Sequence, residues 1–208
     1  MASDSYIAAT RPGAVGKPLV FAFHGTGGDE TQFFTLTGQL VPGAAIVAPR
    51  GDVLEHGAAR FFRRHAEGQY DMADLARRTE QMAAFIAAHK ATDPTRAVFG
   101  FGYSNGANIL ASVAMAQPDL FDKVALLHPL IPWSPAPVPA LARKPVLITA
   151  GQRDPICPAP VTAALIDWFS AQDAQVETHI HEGGHEIRQP EIEALAQFLN
   201  LDSERGMG

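Results

Sequence analysis

The stretch Arg96-Ala97-Val98-Phe99-Gly100-Phe101-Gly102-Tyr103-Ser104-Asn105-Gly106-Ala107-Asn108 decides the fold. Arg96–Tyr103 reads as a strand that is apolar nearly throughout, the pattern of a strand buried on both faces of a parallel sheet. From Asn105 to Gln117 the chain is apolar almost all round, as in a helix enclosed by a sheet and its neighbours. Between them Gly102-Tyr103-Ser104-Asn105-Gly106 fits G-x-S-x-G at a strand-to-helix turn. Such a turn pushes the serine above the sheet edge and exposes its hydroxyl. The two glycines remove side chains that would collide with strand and helix. The helix that follows points its amide groups at developing negative charge.

The same alternation extends outward. Pro18–His24, Ala44–Pro49, Lys123–Leu127, Pro145–Ala150 and Gln175–His181 read as further strands, the last more polar and therefore an edge. Met72, Leu75, Thr79, Met82 and Ile86 recur at steps of three and four, which predicts an amphipathic helix over 71–90. Asp29 and Gln32 resemble a capping box ahead of Phe33, Leu36 and Leu40. Val161, Leu165 and Trp168 mark another helix, and Ile192, Leu195 and Leu199 a final one with Pro190 near its first turn. Repeated strand–helix units imply a mainly parallel sheet with helices on both faces. Pro129–Pro145, with six prolines in 17 residues, reads either as a rigid surface connection or as one wall of a site.

Composition narrows the classes. The 208 residues fit one domain, with 1–17 as an N-terminal extension and 202–208 as a flexible tail. Apolar residues make up 47% and charged residues 18%, unlike a disordered chain. A net charge of −6 without a Lys/Arg run disfavours nucleic acid and anionic membranes as partners. The single cysteine, Cys157, excludes an intramolecular disulfide and a cysteine-rich metal site. With no signal-peptide pattern and no long apolar run, a cytoplasmic protein without stable membrane association is expected.

A serine hydroxyl needs a base, and the base an orienting acid. In this architecture the order is Ser, then acid, then His. Asp154 follows the strand Pro145–Ala150, and His185 follows the strand Gln175–His181. Three loops would thus deliver Ser104, Asp154 and His185 to one rim of the sheet. His24-Gly25-Thr26-Gly27-Gly28 follows an early strand, and its glycines free backbone N–H groups to face a ligand. In a serine hydrolase the N–H groups of Thr26 and Asn105 would form the oxyanion hole. The loop lacks the G-K-[ST] ending of a phosphate-binding loop.

His181-Glu182-Gly183-Gly184-His185 matches the zinc-protease string H-E-x-x-H, but that chemistry needs a helix. Two adjacent glycines after a strand oppose one, so no metal is expected. Cys157 reads as a small half-buried residue rather than a nucleophile. Arg63-Arg64-His65 reads as a solvated loop. Phe61, Phe62 and Trp133 are either core residues or walls of a substrate pocket, and the reading favours a pocket role.

Taken together, H-G-T-G-G, A-P-R-G-D, R-F-F-R-R, G-Y-S-N-G-A-N, G-Q-R-D-P and H-E-G-G-H resemble the phospholipase/carboxylesterase family of α/β-hydrolases. The nearest likeness is to small bacterial serine esterases of the hydroquinone-resistance type, relatives of acyl-protein thioesterases. The resemblance implies an α/β-hydrolase fold with minimal N-terminal strands and no cap domain. It implies Ser104 as nucleophile, His185 as base, Asp154 as acid, Thr26 and Asn105 as oxyanion donors, and no cofactor. The expected activity is hydrolysis of small or short-acyl carboxylic esters. A thioesterase, a lysophospholipase and a non-catalytic ligand-binding protein are the alternatives, and family habit leaves a homodimer open. Dienelactone hydrolases share the fold but carry cysteine at the elbow, so the serine argues against them.

Overall fold

The computed structural model describes residues 5–200; the expected tail at 202–208 lies outside them. The elements run β1 (Ala8–Arg11), β2 (Leu19–Phe23), α1 (Phe34–Leu40), β3 (Ala45–Pro49), β4 (Val53–Glu55), β5 (Ala58–Arg60), β6 (Arg64–Ala66) and β7 (Gln69–Tyr70). They continue with α2 (Met72–Lys90), β8 (Val98–Tyr103), α3 (Asn105–Ala116), β9 (Lys123–Leu127), β10 (Pro145–Gly151), α4 (Ala159–Ala171), β11 (Gln175–His181) and α5 (Gln189–Asn200). Seven strands form one sheet in the order β1-β3-β2-β8-β9-β10-β11. All its pairings are parallel except β1 with β3. The segment read as an N-terminal extension therefore supplies an antiparallel edge strand.

Alternation within the strands divides the core into two layers. Phe21, Phe23, Val124, Leu126, Val146 and Ile148 pack with Met82, Phe85, Ile109, Val113 and Phe169 of α2, α3 and α4. Val20, Ala22, Phe99, Phe101, Ala125 and Leu147 pack with Leu195, Phe198 and Leu199 of α5 and with Phe33 before α1. Strands buried on both sides have no polar face to show, which is why their sequences run apolar without a break.

Two local readings need correction. Asp29 and Gln32 form no capping box: Asp29 accepts from the backbone and hydroxyl of Thr31, and Gln32 accepts from the Gly25 N–H. Residues 53–70, which carry no long apolar run, form two antiparallel ribbons, β4–β5 and β6–β7. Arg64 is consequently no solvated loop residue. It lies in β6 and pairs with Glu55 at 2.9 Å and with Glu67.

Phe61 and Phe62, read as pocket walls, are core residues, 1% and 0% exposed. Phe61 packs edge-on against Phe23, and Phe62 against Tyr70 at 4.8 Å. Burying a phenyl ring gains more free energy than lining a wet cleft with it, and the bend between β5 and β6 turns both rings inward. Phe62→Ala should cost about 3–5 kcal/mol of stability and reduce the expected ester hydrolysis alike at all acyl lengths. Thermal melts beside a p-nitrophenyl ester series check this. An unchanged melting temperature with a selective loss on longer esters would return Phe62 to the pocket.

Candidate active site

The parallel register lines up the carboxyl ends of five strands. Phe23 lies opposite Gly102, Tyr103 opposite Leu127, Leu127 opposite Thr149, and Gly151 opposite His181. The loops that leave those ends carry Thr26, Ser104, His128, Asp154 and His185. Their side chains converge because the strands stop at the same height.

Ser104 occupies a left-handed backbone conformation, φ 52° and ψ −117°, that a residue with a side chain adopts only at a cost of about 1–3 kcal/mol. The turn closes tightly. A Cβ on Gly102 would lie 2.5 Å from the Gly106 carbonyl oxygen, and one on Gly106 would lie 2.4 Å from that of His24. Glycine is therefore required at both positions. The Ser104 N–H donates to Leu127 O at 2.9 Å, and Ser104 O accepts from the Asn108 N–H, which pins the turn to β9 and α3.

His185 Nε2 lies 2.9 Å from Ser104 Oγ, and His185 Nδ1 lies 2.7 Å from Asp154 Oδ2. Asp154 is buried. Its Oδ1 accepts from the N–H groups of Ile156 and Cys157 at 2.8 and 2.9 Å. Its Oδ2 is shared with His128 Nδ1 at 3.0 Å. Burial alone would raise the Asp154 carboxyl; hydrogen bonds from Cys157, His128, His185 and Ile156 outweigh it and hold the group below the usual carboxylate range.

The expected oxyanion donors, Thr26 and Asn105, both line the cavity beside Ser104. The loop that carries Thr26 is fixed by His24, whose Nδ1 donates to Gly25 O at 2.7 Å and whose Nε2 accepts from Gly51 N–H at 2.9 Å. Burial lowers the His24 imidazole below its ordinary value, which suits this neutral tautomer. Arg60 Nη1 donates to Thr26 Oγ1 at 2.8 Å. The Asn105 side chain accepts from the Phe61 N–H at 2.7 Å and turns the elbow helix against the ribbons.

The cavity measures about 260 Å³. Arg60, Arg64, Glu67, Tyr70, Asn108, Leu130, Ile156 and Cys157 are among its walls. Trp133 is not. It lines a separate groove with Met72, Leu75 and Met115. The proline-rich segment reaches the cavity instead through Leu130, whose N–H and carbonyl are held by Asn108 and the Tyr70 hydroxyl.

Sequence reasoning missed Tyr103, His128 and Glu191. The Tyr103 hydroxyl donates to His185 O at 2.6 Å, and its ring lies against the imidazole, with centroids 5.2 Å apart. Burial first, then Asp154, pushes its hydroxyl up to about 12. The x position of G-x-S-x-G gave no signal for this role. The H-E-x-x-H string is not helical: β11 runs through His181, and a turn follows. Two clusters, His128–His181–Glu191 and His128–Asp154–His185, bring ligand atoms within 4.8 Å of each other. Of their imidazole nitrogens, all but His181 Nε2 already have a hydrogen-bond partner. His128 faces a carboxylate at each nitrogen, and His181 Nδ1 accepts from Gly183 N–H, which leaves the proton on Nε2. A metal ion would have to displace these contacts.

The profile of the Dienelactone hydrolase family matches residues 8–193. The elbow serine, read as an argument against that family, does not exclude it. "Putative hydrolase MhqD" of Bacillus subtilis is 36% identical over 182 residues, 86% of this chain and 91% of that one. The crystal structure of Atu2452 from Agrobacterium tumefaciens, a protein of unknown function, has a TM-score of 0.92 at 54% identity, covering 97% of this chain and 98% of that one. The Bacillus cereus carboxylesterase has a TM-score of 0.88 at 32% identity, with 95% of each chain covered.

The depressed Asp154 carboxyl makes a stability prediction. A group lowered on folding stabilises the fold above its unfolded pKa of about 3.9 and loses that contribution as pH falls through the lowered folded value. Urea unfolding should therefore weaken progressively on acidification below about pH 4, and Asp154→Asn should flatten part of that slope. An identical slope in the variant would contradict the assignment.

Proposed function

Because this chain is an ester-hydrolysing member of the dienelactone hydrolase family, we propose that it is a serine carboxylesterase working through Ser104, His185 and Asp154 on esters of small acyl groups. The observation that carries the reading is the contact sequence Ser104 Oγ, His185, Asp154 at 2.9 and 2.7 Å, with the serine held at positive φ above the sheet edge. Ser104 attacks the ester carbonyl as His185 Nε2 takes its proton. The N–H groups of Thr26 and Asn105 receive the oxyanion. His185 then gives the proton to the departing alcohol, activates water, and releases the acid. Asp154 keeps the proton of the neutral imidazole on Nδ1, so that Nε2 faces the nucleophile.

Ser104→Ala should lower kcat on p-nitrophenyl acetate by about 10³-fold or more. It should also abolish labelling by a fluorophosphonate probe while the fold stays intact. Activity within about tenfold of wild type would remove Ser104 from the nucleophile role.

The cavity sets the acyl length. Each methylene buried against Leu130, Ile156 and Tyr70 should raise kcat/KM about fourfold, the worth of about 0.8 kcal/mol. In about 260 Å³ with charged side chains among the walls, that gain ends early. The optimum should fall at about C2–C6 in a p-nitrophenyl ester series, the span over which such methylene gains can accumulate. An optimum at long acyl chains would favour a lysophospholipase. Faster turnover of matched thioesters would favour a thioesterase.

A further inference from the structure

Behind the Ser104–His185–Asp154 line the contacts continue inward. His128 Nδ1 lies 3.0 Å from Asp154 Oδ2, and His128 Nε2 lies 2.9 Å from Glu191 Oε1. The side chains of His128, Asp154 and Glu191 are all 0% exposed. Glu191 Oε2 accepts from the Arg188 N–H at 2.7 Å and lies 3.1 Å from His181 Nε2. A histidine with a carboxylate at each nitrogen can satisfy both only by donating twice, which requires the imidazolium form. Two buried carboxylates without that cation would repel each other in a site that water does not reach.

We propose that His128 and Glu191 are positioning residues of the hydrolytic centre: an imidazolium anchored by Glu191 holds Asp154 Oδ2 in the place from which it orients His185. This inference rests on the Ser104–His185–Asp154 reading of the site. The backbone supports it. His128 sits at φ 51°, a left-handed conformation unfavourable for a residue with a side chain, at the carboxyl end of β9. That strain is the cost of turning the ring out of the strand and beneath the two loops. The His128 N–H donates to Thr149 O at 2.8 Å, and its carbonyl accepts from Cys157 Sγ at 3.2 Å. Both contacts fix the ring's base.

The surroundings agree in charge. Burial opposes the His128 cation, yet the hydrogen bonds to Glu191 and Asp154 outweigh it and raise the imidazole above its ordinary value. Burial likewise opposes the Glu191 carboxylate, and the His128 hydrogen bond leads the contacts that lower it. The other titratable groups facing the ring are His181 and His185, with centroids 5.4 and 5.2 Å away, Tyr103 at 5.8 Å, and Cys157. Burial raises the thiol of Cys157 and the phenol of Tyr103, so neither adds charge near neutral pH.

The arrangement has a kinetic consequence. Oδ2 is shared between two imidazoles. A cationic His128 therefore draws part of the Asp154 charge away from His185. Removing the His128 charge would hand that density back.

Two measurements on the full chain test this. In ¹⁵N-histidine NMR, the signal lost in His128→Gln should show both ring nitrogens protonated at about pH 7.5, a full unit above the reference value of about 6.5. A neutral His128 there would overturn the proposal. Glu191→Gln keeps the size and a hydrogen bond to Nε2 but removes the anchoring charge. It should lower kcat on p-nitrophenyl acetate about tenfold or more, with KM changed by no more than about twofold, and move the acidic limb of kcat/KM to higher pH. A variant that only loses melting temperature, with wild-type kcat and pH profile, would also overturn it. Where Glu191→Gln does not fold, the NMR arm decides alone. Failure of Ser104→Ala to abolish activity would sink the triad instead, and the protonation state of His128 reads out independently of turnover.

Discussion

Four hydrogen bonds converge on the Asp154 carboxylate, and the site depends on them. A bare carboxylate in a water-free interior costs several kcal/mol. Here two backbone N–H groups occupy Oδ1 and two imidazoles occupy Oδ2. The backbone pair comes from Ile156 and Cys157, so the loop after β10 carries both the acid and its own support. The imidazoles come from the loops after β9 and β11. The acid can stay ionised only where three consecutive strands of the sheet end together, and the parallel register of β9, β10 and β11 produces that coincidence.

The proposed nucleophile is held by a different means. Ser104 is fixed by backbone geometry, with Gly102 and Gly106 allowing strand and helix to approach closely enough to force a positive φ. The strain is held in place by α3, whose residues Ala107–Ala114 are buried against the sheet and α2. A rigid apolar helix under the elbow is what lets an exposed hydroxyl keep an unfavourable conformation. The polar hub and the strained turn then meet through His185, whose ring is steadied from the side by Tyr103.

What could be read from the sequence follows from these same constraints. The central strands, the elbow and the order Ser104, Asp154, His185 were legible because each rests on a local pattern: an unbroken apolar run, a pair of glycines, a polar residue just past a strand end. The ribbons of residues 53–70 were not, because strands of two or three residues leave no periodicity to detect. Phe61 and Phe62 were misplaced for that reason. They lie in the bend between β5 and β6, where the alternation of a strand does not apply and both rings turn inward. His128 and Glu191 were illegible for another cause. They stand 63 positions apart, and only the fold reveals that a histidine at a strand end and a glutamate in a helix's first turn share one buried site.

The cavity wall illustrates how charge can be built into a pocket without making it an anion site. Arg60 and Arg64 both face the space beside Ser104, yet Glu55 lies 3.6 Å from the first and 2.9 Å from the second, and Glu67 pairs with Arg64 as well. The charges cancel locally. What remains is a rigid polar lattice, held by ion pairs that are only partly solvated and so less screened than surface pairs. Arg60 spends its fixed geometry on Thr26, and through it on the loop expected to hold the oxyanion. The ribbons thus act on the proposed site from outside the sheet. They bound the cavity beside Ser104, and they hold from one side the loop that the neutral His24 holds from the other.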